Sequence, residues 1–198
     1  LVSLAPQSIY EGSTVTFTVP ALDRDHQELT LTANWGDGTL PQTASVSSGT
    51  VALSHYYGDD SGAGAFAFSL TARDGANATA TSTTTVVVSN LAPLDLALSP
   101  LTGREGAPYT GRLSARDVAA DPLTWSKTGG GVWLSVSAAG DVTGAPGAGD
   151  AGDAVIAVEV QDGDGGLSSA QFTVSISAQD APIGASDSFT TDEDTPLS

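Results

Sequence analysis

Apolar and polar residues alternate along this chain in short runs, and turn-forming residues separate the runs. In Thr14 to Val19, the residues Val15, Phe17 and Val19 share one face while Thr14, Thr16 and Thr18 share the other. Leu29, Leu31, Ala33 and Trp35 alternate in the same way with Thr30, Thr32 and Asn34, and that run stops at Gly36-Asp37-Gly38. Val51 to Tyr57 makes a third run. Phe66, Phe68, Leu70 and Ala72 make a fourth, halted by Asp74-Gly75, and Thr81 to Val88 makes a last one before Asn90. A period of two with turn signals at short intervals predicts half-buried strands, and many such strands predict an all-β sandwich or barrel.

The pattern then restarts. Leu94, Leu96 and Leu98 open it, Tyr109 to Leu113, Leu123 to Trp125 and Trp133 to Val136 continue it, and two long runs close it. In those two, Ile156, Val158 and Val160 share a face, as do Phe172, Val174 and Ile176. Each half has about the length of one sandwich, roughly 100 residues. The expected organisation is a first domain over 1–90, a second over 91–180, and a segment 181–198 with too few apolar groups for a core of its own. Asn90-Leu91-Ala92-Pro93 and Asp180-Ala181-Pro182 each place a proline just after a strand, where it removes a ladder donor and keeps the linker short and stiff.

Composition narrows the function. The 198 residues carry 23 acidic side chains against 6 basic ones, a formal net charge of −17. Such a surface repels nucleic-acid phosphates and anionic lipid, so neither is expected as a partner. The absence of Cys excludes disulfides, cysteine zinc sites and thiol nucleophiles. No run reaches the roughly 18 to 20 apolar residues that span a bilayer. Beginning at Leu1 without a basic, apolar leader, the chain reads as a segment of a longer protein. His26 and His55 are the only imidazoles. No nucleophile-elbow, zinc-protease or phosphate-loop pattern accompanies them, so the chain is not expected to be an enzyme.

Several runs resemble known families. Leu31-Thr32-Ala33-Asn34-Trp35-Gly36-Asp37-Gly38-Thr39, then His55-Tyr56, then Phe68-Ser69-Leu70-Thr71-Ala72-Arg73-Asp74, are similar to a PKD (polycystic kidney disease) domain over about residues 5–90. Asp121-Pro122-Leu123-Thr124-Trp125, Val132-Trp133-Leu134-Ser135, Gly140 to Pro146 and Val160-Gln161-Asp162 resemble a dystroglycan-type cadherin-like domain over 91–179. The stretch from Ala181-Pro182 to Leu197 resembles the opening strand of a further cadherin-like repeat. The resemblance implies two tandem immunoglobulin-like/cadherin-like Greek-key β-sandwiches. It also implies a non-catalytic spacer or adhesive segment of a large bacterial cell-surface or secreted protein, and hence an extracellular location.

Calcium is the sharpest chemical expectation. The ion wants about six to eight oxygens at roughly 2.3–2.6 Å, which loops rich in Asp, Asn and backbone carbonyls supply. In the second domain the candidate ligands are Asp117 and Asp121 on one loop, Asp162 at a strand end and Asn90 in the linker. The resemblance implies that these converge at the pole facing the first domain. It implies a similar polar site in the first domain from Asp23, Asp25 and Asp74. All of them also suit solvated turns, which Asp favours on its own account. Asp162-Gly163-Asp164-Gly165-Gly166 lacks the closing Glu of an EF-hand loop and reads as a turn. Clustered carboxylates in a partly desolvated junction repel one another, so a cation there would stiffen the connection.

Two other function classes stand beside this one. Exposed, coplanar aromatics among Trp35, Trp125 and Trp133 would make an accessory carbohydrate- or polymer-binding module of a secreted hydrolase, although all three fall in apolar runs that suit a core. A tail that adds a strand to a neighbour's sheet would make a filament subunit with homotypic contacts. Expected partners are therefore neighbouring domains of the same long chain and, beyond them, a cell-surface protein, a polysaccharide or a second copy. His55 and His26 read as packing and solvated residues respectively. Asn77-Ala78-Thr79 is a glycosylation sequon in form only.

Overall fold

A computed structural model describes residues 3–25, 27–62, 64–118 and 121–179. The predicted strand of 181–198 and His26 lie outside the described residues. No helix occurs among those described, and none is long and apolar enough to cross a membrane.

The first module contains seven strands, β1 (Gln7–Tyr10), β2 (Ser13–Leu22), β3 (Leu29–Asn34), β4 (Gln42–Val46), β5 (Ser48–Tyr57), β6 (Phe66–Arg73) and β7 (Thr79–Ser89). One sheet has the order β1-β7-β6-β3-β4, and β2 pairs with β5 in the other. The chain therefore crosses between sheets on going from β1 to β2, from β2 to β3, from β4 to β5 and from β5 to β6, a Greek-key path. The inward residues read from the alternation, Val15, Phe17, Val19, Leu31, Ala33, Trp35, Phe68 and Leu70, are all buried. The Phe68 ring packs on Phe17 and Trp35 with centroids 4.4 and 4.8 Å apart, giving the core a rigid aromatic centre.

The second module contains β8 (Leu94–Ser99), β9 (Thr102–Arg104), β10 (Tyr109–Arg116), β11 (Thr124–Gly130), β12 (Leu134–Val136), β13 (Asp141–Gly144), β14 (Gly152–Gln161) and β15 (Leu167–Ser177). Its sheets are ordered β12-β13-β10-β8 and β11-β14-β15-β9. A separate core forms from Leu113, Trp125, Val142, Ile156, Val158, Val160, Val174 and their neighbours. Trp35 and Trp125 are buried, and the half-buried Trp133 packs edge-on against Tyr109. The expectation that tryptophans fill cores is met, and the stacking platform they would have offered to a sugar is lost.

The two modules repeat one another closely at their C-terminal poles. In each, a short strand pairs in parallel with the last one, β1 with β7 and β9 with β15. A Glu-Gly pair follows each short strand. Glu11 N donates to Ser89 O and Glu105 N to Ser177 O, both at 3.0 Å. The Glu11 carboxylate then accepts from Leu91 N at 2.7 Å, and that of Glu105 from Gln179 N at 3.3 Å. Each glutamate thus fastens the chain as it leaves its sandwich.

Candidate metal centre between the modules

The carboxylates gather where the first module meets the second. Glu11 sits at the end of β1, its backbone held by the end of β7, and Gly12 N donates to Tyr57 O at the end of β5. Although 2% exposed, Glu11 uses only Oε1, which accepts from the linker amide of Leu91; Oε2 is buried and has no hydrogen-bond partner. From the second module come Asp117 and Asp121, on the loop that follows β10. Asp117 Oδ1 accepts from Val118 N at 3.0 Å, while Asp117 Oδ2 and Asp121 Oδ2 are buried and unpartnered. Asp162, just past β14, is 5% exposed. Its Oδ1 accepts from Asp164 N and Gly166 N at 3.0 and 2.7 Å, and its Oδ2 from Asn90 Nδ2 at 3.1 Å. Only glycine fits at 166, because a Cβ there would lie 2.2 Å from Asp162 Oδ2 and 2.9 Å from Ala92 Cα.

These groups form overlapping triads. One oxygen from each of Asp117, Asp121 and Asp162 lies within 4.8 Å of the others, and the same holds for Glu11, Asp59 and Asp121 and for Asp59, Asp60 and Asp164. The structure therefore brings together Asn90, Asp117, Asp121 and Asp162, and adds Glu11, Asp59 and Asp60 from the first module and Asp164 from the second. Asp23 and Asp74 face a separate groove at the opposite pole of the first module. There Asp23 Oδ2 accepts from Gln27 N at 3.0 Å and Asp74 Oδ1 from Ala78 N at 2.8 Å, so both act as turn caps. Asp25 is exposed, and no carboxylate triad among the described residues includes any of the three.

The electrostatics follow from the crowding. Burial, reinforced by the carboxylates of Glu11, Asp164, Asp117 and Asp59, pushes Asp121 up to about 6. Burial also raises Glu11, against the lowering effect of the Leu91 amide and with Asp117, Asp60 and Asp164 adding to the rise. Asp117 is raised by burial and by Asp162, opposed by the Val118 amide. The described residues contain five buried side-chain oxygens without partners, and four of them, on Glu11, Asn90, Asp117 and Asp121, belong to this junction. A buried oxygen left unpaired costs about 1–3 kcal/mol, more if charged, and natural structures carry few. Four at one junction, three of them on carboxylates of overlapping triads, fit a hard divalent cation, which would supply the missing positive charge to an all-oxygen donor set.

Sequence reasoning missed Glu11, Asp59 and Asp60, and read Asp164 only as part of a turn. Glu11 stands 80 residues from the amide it binds, and Asp59-Asp60 looks like any polar turn. One signal was present: a proline, four residues and Glu-Gly recur as Pro6 to Gly12 and as Pro100 to Gly106, so the glutamate is part of the repeat rather than of a chance turn. The histidine expected to be structural is so placed. His55 Nε2 lies 2.6 Å from Asp37 Oδ2, and its ring stacks on Trp35 at 4.9 Å.

The architecture and its pole define a class, that of tandem Ig-like sandwiches joined through an acidic seam. Comparison with family models agrees. Residues 1–89 match the family described as "Putative Ig domain" and residues 90–175 the family described as "Bacterial Ig domain". Each half of the chain is thus similar to an Ig-like domain family, which supports an Ig-like repeat and is a coarser assignment than the PKD and dystroglycan-type resemblances, which these models do not single out. Domains of these families are typically non-catalytic and extracellular. No curated protein matches the chain. Among solved structures, an endo-fucoidan hydrolase of glycoside hydrolase family 107 is similar at 21% identity and TM-score 0.43, over 90% of this chain and 28% of its own. Extracellular domains 3–5 of Drosophila OTK are similar at 15% identity and TM-score 0.40, over 89% of this chain and 63% of theirs. An I-band fragment of titin is similar at 13% identity and TM-score 0.33, with the same two coverages. The chain spans less than a third of the hydrolase and less than two thirds of the other two.

Proposed function

We propose that the two repeats form a calcium-assisted spacer or adhesive segment of a large bacterial cell-surface or secreted protein. The finer likeness to a PKD domain followed by a dystroglycan-type cadherin-like domain supports the same reading. The observation that carries it is the group of unpartnered, buried oxygens on Glu11, Asn90, Asp117 and Asp121 at the only covalent joint between the modules. Glu11 and Asp59 belong to the first module, Asp117, Asp121 and Asp162 to the second, and Asn90 to the linker. A cation ligated by all three regions fixes the angle between the sandwiches, whereas the ion-free carboxylates push the same surfaces apart.

Extracellular calcium modules bind with Kd of about 10⁻⁴ to 10⁻³ M, so millimolar calcium contributes on the order of 1 kcal/mol per site. For modules of this size that is a rise of several degrees in Tm. The test is thermal unfolding and small-angle scattering in millimolar calcium against chelator. Asp121→Ala and Asp162→Ala serve as controls. The expected result is a higher Tm and a narrower spread of inter-module angles with calcium, both lost in the variants. An identical Tm and scattering profile in the two buffers would overturn the proposal. Neighbouring modules, a cell-surface protein or polysaccharide, and a second copy are the partners to be sought once the joint is rigid.

A further inference from the structure

The pole of the first module that faces away from the joint holds an open groove of about 710 Å³. Its apolar lining comes from Ala21 and Leu22 at the end of β2, Leu29 at the start of β3, Ala72 near the end of β6, and Ala78 and Ala80 around the start of β7. Ala21, Leu29 and Ala72 are buried, whereas Leu22 is 72% exposed. A leucine so placed covers nothing of its own module.

The internal repeat identifies what belongs there. Asp23 follows β2 as Asp117 follows β10, and Asp74 follows β6 as Asp162 follows β14. The last two make the same hydrogen bonds. Asp74 Oδ1 accepts from Ala78 N and Asp162 Oδ1 from Gly166 N, while Asp74 N donates to Ala78 O and Asp162 N to Gly166 O, both at 3.1 Å. The groove therefore occupies the place that, on the second module, lies against the linker. There Asn90 Nδ2 donates to Asp162 Oδ2, Leu91 and Ala92 are half-buried, and Pro93 is buried.

The two poles differ in chemistry. Gln27, four residues after Asp23, stands where the second module has Asp121, four after Asp117. Leu22 and Ala78 stand where it has Arg116 and Gly166. Asp23 and Asp74 cap turns, and none of the buried oxygens without partners among the described residues belongs to this groove. One pole offers a cation its ligands; the other offers alkyl surface.

We propose that this groove is the berth of an incoming chain segment, the extended, uncharged linker of a preceding Ig-like module, and that the joint made there closes without a cation. It rests on the reading of the chain as one segment of a longer protein. Apolar burial against Leu22 and the alanines takes the part that charge neutralisation plays at the other joint. Lowering calcium then loosens one joint and leaves its neighbour closed.

The test extends the whole chain at its N-terminus with a copy of residues 90–94, which precede Asp95 as the added segment precedes Leu1; Leu1 lies five residues before Pro6, and Asp95 five before Pro100. Calorimetry is combined with amide exchange at Leu22 and Ala80, in calcium and in chelator. The first module is expected to melt roughly 4–8 °C higher than in the unextended chain, with slower exchange at both amides and the same gain in both buffers. Ala80→Arg, which fills the groove, and Leu22→Glu, which makes its rim repel an apolar segment, are expected to cancel the gain. Both residues are exposed, so the unextended variants are expected to melt close to the parent. No gain and no slowing of exchange would overturn the berth. A gain that requires calcium, or one that survives both substitutions, would overturn it as well. The calcium-dependent scattering of the unextended chain tests the spacer reading separately, so either can fail without the other.

Discussion

At Asp121 one side chain contains the problem that the whole junction poses. It must be near its neighbours to be a ligand, and that nearness makes its charge costly while the cation is away. The sign of a substitution should therefore depend on the buffer. Asp121→Asn is expected to raise Tm in chelator, because it removes one of the mutually repelling carboxylates, and to lower it in calcium, because it removes a ligand; differential scanning calorimetry in both buffers checks this. pH acts in the same direction. With Asp121 titrating at about 6 in the fold against about 3.9 in an unfolded chain, the folded state binds more protons between those values, and its stability falls as pH rises through them. Ion-free protein is thus expected to melt higher at about pH 5 than at about pH 7, and calcium-loaded protein to lose or reverse that trend. Although loop aspartates such as Asp23 and Asp74 look the same and join no triad among the described residues, Asp117, Asp121, Asp162 and Asn90 were singled out because the resemblance implied that they converge. Glu11, Asp59, Asp60 and Asp164 were not, since a carboxylate becomes a ligand only through partners far away in the chain, and pairing across 80 residues leaves no local trace.

Alternation carried most of the information about strands. The runs through Phe17, Leu31, Leu53, Phe68 and Val86 in the first module, and through Val158 and Val174 in the second, place every inward residue in a core. The strands that escaped, β1, β4, β9 and β13, are short ones. β9 has Gly103 at its centre, β13 has Val142 as its only buried residue, and β4 has no fully buried position. Pairing to a longer neighbour, not their own pattern, makes them strands. Irregularity was equally invisible. Between Lys127 and Gly129 the register of β11 against β14 slips, and Gly130 follows with φ of +96°. A Cβ at that position would stand 2.1 Å from Val155 O. Gly130→Ala is expected to destabilise the second module by more than the about 1 kcal/mol of an ordinary glycine replacement, since backbone must move. Denaturant unfolding followed by Trp125 and Trp133 fluorescence would show it, with the first module's transition unshifted.

Seen as one molecule, the chain divides its labour between interiors that hold shape and poles that hold direction. Two aromatic and aliphatic cores fill the modules, and among the described residues the buried side-chain oxygens in want of partners, apart from one on Gln42, lie at the joint. The parallel pairing of β1 with β7, the first and last strands of the first module, has a further effect once such a chain is pulled from its two ends. Tension drawn through β1 and β7 slides the strands past each other, so the four residue pairs between them must give way together, and not one after another as in a hairpin opened like a zip. In the second module the tension enters through β8, which is paired antiparallel to β10, and the parallel clamp behind it, β9 against β15, has only three such pairs. Stretched in an atomic force microscope, the second module is expected to rupture first and the first to hold to a higher force, an ordered yielding that would let a tether lengthen under flow before it breaks.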